Sequence, residues 1–126
     1  MFLVVDDDLD MCWGLKYILE KHGFSSEIAL SGEEALTLIT RNCFRLVFLD
    51  AKLPDIEGLE LATRMQEIDP TIRIVLVSGY YYNDDVDVQK AIQNGLICGF
   101  IAKPFPHDEI IRMLNSSYFF NSVPKE

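Results

Sequence analysis

Four short apolar runs in this chain each stop on a residue able to do chemistry. Phe2–Val5 stops on Asp6 and Asp7, residues 46–49 on Asp50, residues 74–77 on Ser78, and residues 100–102 on Lys103. A carboxylate at the mouth of an apolar run is costly unless something there uses it. Three carboxylates brought to one place would repel and raise one another's pKa values. A divalent cation relieves that repulsion, and Mg²⁺ suits one or two carboxylates together with waters and phosphate oxygens. A lysine adds a compact positive charge for a phosphate oxygen, and a serine adds a hydroxyl that can turn toward it. The set reads as an aspartate nucleophile for phosphoryl transfer, held by a metal and a lysine. Taken singly, each piece has a plainer reading. An acidic pair after a strand caps a helix, Lys-Pro makes a turn, and Ser-Gly starts a loop. Their joint placement points to the chemistry.

What must gather them is an alternation of apolar runs with helical patterns. The first strand is Phe2–Val5. Asp8 or its neighbour caps a helix with Met11, Leu15, Ile18 and Leu19 on one face, ended by Gly23. Residues 24–30 form a weaker, half-exposed strand, and Ser31 with Glu34 makes a capping box for a helix carrying Ala35, Leu38 and Ile39. Residues 44–49 form a third strand, of the unbroken type found inside parallel sheets. Gly58 leads into a helix with Leu59, Leu61, Ala62, Met65 and Ile68, stopped at Asp69-Pro70. A fourth strand at 72–77, a helix from about Asp85 to Asn94 ended by Gly95, a fifth strand at 98–102 and a helix after Pro106 complete the chain. Five strand–helix units make an α/β protein, a parallel sheet with helices on both faces. That is the flavodoxin-like doubly wound arrangement, a (βα)5 five-stranded sheet of order 2-1-3-4-5, which binds ligands beyond the carboxyl ends of its strands. Asp6, Asp7, Asp50, Ser78 and Lys103 all lie at that edge.

A chain of 126 residues, 49% of them hydrophobic, is one domain with a full core. The net charge of −9 argues against a sequence-independent grip on nucleic acid. Apolar runs fall far short of a membrane span, and no signal peptide precedes the first strand, so the cytoplasm is the expected home. Cys12, Cys43 and Cys98 are odd in number and lack metal-site spacing. All three are expected as small buried apolar residues.

The segments "FLVVDDD" (2–8), "LVFLDAKLPDIEG" (46–58), "IVLVSG" (74–79) and "FIAKPF" (100–105) closely resemble the receiver domain of two-component response regulators. The resemblance covers residues 2 to about 119, giving a receiver domain over 1–119 and a tail or linker stub over 120–126. It implies that Asp50 is the phosphoacceptor, charged from a phosphohistidine on a sensor histidine kinase or a histidine phosphotransfer protein. It implies Mg²⁺, or Mn²⁺ in its place, on Asp7, Asp50 and the backbone carbonyl of Lys52, with Asp6 acting through water. Lys103 would meet the phosphoryl group, with the Lys103-Pro104 bond cis. Ser78 would swing to a phosphoryl oxygen and Phe100 would follow it inward, biasing a surface made by helix four, strand five and helix five. A downstream target or an output domain outside this chain would read that surface, and neither nucleic acid nor membrane is implied for this domain. Such a domain promotes its own phosphorylation and dephosphorylation without being a turnover enzyme.

The sequence departs from the family pattern in places. Leu53 stands where Met is common and Glu57 where Asp or Asn is usual, and the Ser78–Lys103 segment is longer, with the extra residues assigned to 80–85 and 95–100. Gly14 interrupts the first helix, at about 1 kcal/mol relative to Ala. Lys52 and Tyr80, two positions beyond Asp50 and Ser78, are expected to flank the phosphoryl group and hinder water. Trp13 falls on the outward face of the first helix, where a partner's helix could pack. Two other functions compete. Asp6-x-Asp8 after an apolar strand fits a haloacid-dehalogenase-type phosphohydrolase, although Leu9 is unusual there and the chain has no room for a cap. A pseudo-receiver that binds partners without phosphate is the other.

Overall fold

A computed structural model describes residues 1–79 and 85–115. The elements alternate without exception: β1 (Phe2–Val5), α1 (Leu9–Lys21), β2 (Ser26–Ala29), α2 (Gly32–Arg41), β3 (Leu46–Asp50), α3 (Gly58–Ile68), β4 (Arg73–Ser78), α4 (Val86–Gln93), β5 (Gly99–Ala102) and α5 (His107–Asn115). The sheet order is β2-β1-β3-β4-β5, with every pairing parallel. This is the expected doubly wound α/β arrangement.

Burial explains why the central strands carry unbroken apolar runs. All four residues of β1 are buried, as are Leu46–Leu49 of β3 and Ile74–Ser78 of β4. Alternate side chains feed two cores. Leu3, Val5, Val47, Leu49, Ile74 and Leu76 point toward α2, α3 and α4. Phe2, Val4, Phe48, Val75, Val77 and Ile101 point toward α1 and α5. Phe2 also stacks on Phe24 at 4.8 Å between ring centres. The edge strand β2 is buried only at its ends, as its mixed sequence requires.

Local signals set the helix ends. Asp8 caps α1 by accepting from the N–H groups of Asp10 and Met11. Ser31 Oγ accepts from Glu34 N, and Asp85 caps α4 through Asp87 N. Gly23 and Gly95, with φ of 89° and 76°, carry the chain out of α1 and α4 in the left-handed region that glycine tolerates.

Some expectations need correction. Cys43 is exposed and Cys98 only half-buried, while Cys12 is buried. Cys43 lies in the short link from α2 to β3, where the neighbouring Phe44 supplies the core residue. Strand β3 begins at Leu46 rather than Phe44, because Phe44 fills the core from that link without joining the ladder. On α1 Cys12 takes the fully buried place and Met11 is half-buried. Ile68, at the end of α3, is 44% exposed. Tyr80 and the expected tail over 120–126 lie outside the described residues, as does the boundary at 119.

Candidate functional site

The carboxyl ends of β1, β3, β4 and β5 bring the expected residues to one edge. Oxygens of Asp6, Asp7 and Asp50 lie within 4.8 Å of one another. Asp6 is buried and Asp7, the next residue, is exposed. Asp50 is the last residue of β3, opposite Val77 of β4, with its side chain 12% exposed. Lys103, one residue past β5, reaches back across the sheet. Its Nζ donates to Asp6 Oδ2 at 2.5 Å and to Asp50 Oδ1 at 3.2 Å.

The backbone holds these groups in place. Asp8 N donates to Asp6 Oδ1 at 2.9 Å, fixing the buried carboxylate from its second oxygen. The Cys12 thiol donates to the Asp6 carbonyl from below. Lys103 N donates to the Ser78 carbonyl at 2.9 Å, tying β5's exit to β4's end, and the Lys103-Pro104 bond is cis. Gly58 has no room for a side chain, since a Cβ there would meet the Asp50 carbonyl oxygen at 2.4 Å and Ala51 Cα at 2.8 Å. Gly58 N donates to the Ala51 carbonyl at 2.7 Å, and Lys52 bridges to Glu57. The loop from β3 to α3, which contains Lys52, is thus a tight turn closed on itself directly after Asp50.

Charge in this pocket is incompletely balanced. Burial, and then the neighbouring Asp6 charge, push the Asp50 pKa up against the opposing effect of Lys103. Burial works to lower the Lys103 pKa, yet the hydrogen bond and charge of Asp6 and the charge of Asp50 leave it raised. Burial and the charges of Asp6 and Asp8 push the Cys12 thiol up to about 12, so it stays protonated. An all-oxygen donor set carrying three negative charges against one ammonium suits a hard divalent cation, and these residues therefore fit Mg²⁺.

Ser78 is buried at the end of β4, level with Ala102 of β5. Phe100 sits on β5 opposite Leu76, half-buried and packed on the α2–α3–α4 core. The Lys52 side chain is exposed, with its ammonium 3.8 Å from Glu57. Trp13 is 56% exposed. The sequence reading missed one contributor, Asp55, whose carboxylate holds the start of α2. Nothing local in the sequence signals that pairing.

Comparison with known proteins bears on the family and the fold of the chain. The family model described as the response regulator receiver domain matches residues 2–115. The chain is 35% identical over 108 residues to sporulation initiation phosphotransferase F of Bacillus subtilis, covering 86% of this chain and 85% of that protein. It spans only 23% of some longer curated relatives that it also matches. Among solved structures it is similar to a CheY-like receiver domain protein from Methanospirillum hungatei JF-1. The TM-score is 0.85 at 29% identity, covering 96% of this chain and 94% of that one. It is also similar to the response regulator TrrA of Thermotoga maritima in complex with Mg²⁺-BeF. There the TM-score is 0.76 at 28% identity, covering 90% and 94%.

Proposed function

Because this chain belongs to the receiver-domain family of two-component response regulators, we propose that Asp50 accepts a phosphoryl group from a partner's phosphohistidine in an Mg²⁺-dependent reaction. The observation that carries this reading is the Asp50 carboxylate itself. It ends a buried strand beside two further carboxylates and 3.2 Å from the Lys103 ammonium.

An Asp50 oxygen attacks phosphorus, the P–N bond to the donor imidazole breaks, and its electron pair returns to the ring. Asp7, Asp50 and the Lys52 carbonyl would hold Mg²⁺ or Mn²⁺, with Asp6 acting through water. When bound, the cation supplies positive charge for the phosphoryl oxygens. Lys103 moves from its carboxylate partners to a phosphoryl oxygen, which keeps a cation on the charge that Asp50 gains. Ser78 then turns its hydroxyl to another phosphoryl oxygen, and Phe100 moves from half-buried to buried. Those two shifts bias the surface of α4, β5 and α5 between two states, which a downstream target or an attached output domain reads. Accordingly the domain modifies itself once per cycle and does not turn over a free substrate. The donor is a sensor histidine kinase or histidine phosphotransfer protein of the cytoplasm. No helix among the described residues is long and apolar enough to cross a membrane.

The phosphohydrolase reading needs Asp8 to face the reacting phosphate. Its carboxylate instead accepts two N–H groups at the start of α1, and the oxygens that gather with Asp50 belong to Asp6 and Asp7. The pseudo-receiver reading is opposed by the intact Asp7, Asp50, Ser78 and Lys103. Intact-mass measurement after incubation with acetyl phosphate tests the proposal. One phosphoryl adduct that needs Mg²⁺ and is lost in Asp50→Asn is the expected result. Continuous phosphate release without an adduct would favour the hydrolase, and no reaction would favour the pseudo-receiver.

A further inference from the structure

The loop from β3 to α3 is closed on itself by the Gly58–Ala51 and Leu53–Ile56 backbone hydrogen bonds. From this closed loop Asp55 reaches sideways to an element more than twenty residues earlier. Its Oδ1 accepts from Gly32 N and its Oδ2 from Glu33 N, both at 2.9 Å. A helix start leaves four N–H groups without partners inside the helix. On α2 three of them are divided: Ser31 Oγ takes Glu34 N, while Asp55 takes the two before it.

The docking is close as well as bidentate. A Cβ on Gly32 would meet Ile56 Cγ2 at 2.3 Å and Asp55 Oδ1 at 3.3 Å, so the start of α2 fits this loop only without a side chain. These hydrogen bonds pull the Asp55 pKa down, which keeps the carboxylate ionised and each bond charge-assisted. Asp55 thus stands midway along the turn that presents the Lys52 carbonyl and closes on Gly58. A backbone carbonyl that must meet a metal needs its loop held within roughly 0.5 Å.

We propose that Asp55 is a positioning residue for the metal and phosphoryl site, fixing the β3–α3 loop by gripping the α2 N-terminus. The inference rests on the function proposed above for Asp50 and Lys52. It gives α2 a part in the site through the backbone N–H groups of its first turn.

The test compares Asp55→Ala, Asp55→Asn and Ser31→Ala by Mg²⁺ titration calorimetry, thermal melting and amide hydrogen exchange over residues 51–58. Ser31→Ala removes a cap of the same helix without touching the loop. The expected result is an Mg²⁺ affinity about 10-fold weaker in Asp55→Ala, a smaller loss in Asp55→Asn, which keeps one acceptor, and none in Ser31→Ala. Loop exchange should speed up in the same order, while both alanine variants melt earlier. Unchanged affinity and exchange in Asp55→Ala would overturn the inference, as would equal losses in Asp55→Ala and Ser31→Ala. A wild type that binds no Mg²⁺ would overturn the proposed function instead, and loop exchange would still report whether Asp55 fixes the turn.

Discussion

At the scale of single residues, the site is a buried charge problem with an incomplete solution. Asp6 is buried and needs the Lys103 ammonium, whereas Asp50 shares that ammonium from farther away. The folded-state pKa of Asp50 lies above its unfolded value, so stability falls as pH rises from the ordinary carboxylate range through the raised value. Asp50→Asn removes that loss. Without divalent cations the variant should melt above the wild type at pH 7, and the two should converge below about pH 4, where the carboxyl is protonated in both states. Thermal melts across pH check this. Lys103→Met should do the opposite, leaving Asp6 buried without its cation. A loss of about 2 kcal/mol is expected, discounted from fully buried pairs because the Lys103 side chain is 23% exposed. Mg²⁺ should recover more melting temperature in this variant than in the wild type, since the cation then replaces a missing partner.

At the scale of elements, two glycines make opposite predictions. Gly14 is exposed in the middle of α1, and a Cβ there would meet nothing within 4 Å. Gly14→Ala should stabilise by about 1 kcal/mol in denaturant unfolding. A Cβ on Gly58 would press on the Asp50 carbonyl oxygen. Gly58→Ala should cost about 3 kcal/mol and slow phosphorylation as well, because the displaced atom belongs to Asp50, the proposed phosphoacceptor. The element order was legible in the sequence because periodicity, Asp8, Ser31 and Gly23 are local signals that the folded chain keeps. The edge position of Asp6, Asp7, Asp50, Ser78 and Lys103 followed from the parallel direction of the strands they end, itself read from the strand–helix alternation. Features set by distant partners were not legible. Phe44 stands just ahead of an apolar run, across Arg45, and fills the core without joining the ladder, Cys43 faces solvent beside it, and Asp55 pairs with residues 22 and 23 positions away.

At the scale of the whole molecule, one exposed face of α1 carries Leu9, Trp13 and Tyr17 at four-residue spacing, 48%, 56% and 62% exposed. The helix starts next to Asp6 and Asp7, so a partner helix laid along this stripe would bring its phosphohistidine to the acidic edge. Trp13→Ala should therefore slow transfer from a phosphorylated histidine protein at least several-fold, yet leave phosphorylation by acetyl phosphate unchanged. Parallel time courses with the two donors check it. Equal slowing with both would place Trp13 in the domain's own stability instead.

The most direct test of the central claim is to locate the phosphoryl group. After reaction with acetyl phosphate and Mg²⁺, borohydride converts an aspartyl phosphate to homoserine, which tandem mass spectrometry assigns to a position. Homoserine at residue 50 alone is the predicted result. Homoserine at residue 6, the nucleophile of the phosphohydrolase reading, would contradict the account, and so would its absence from every aspartate.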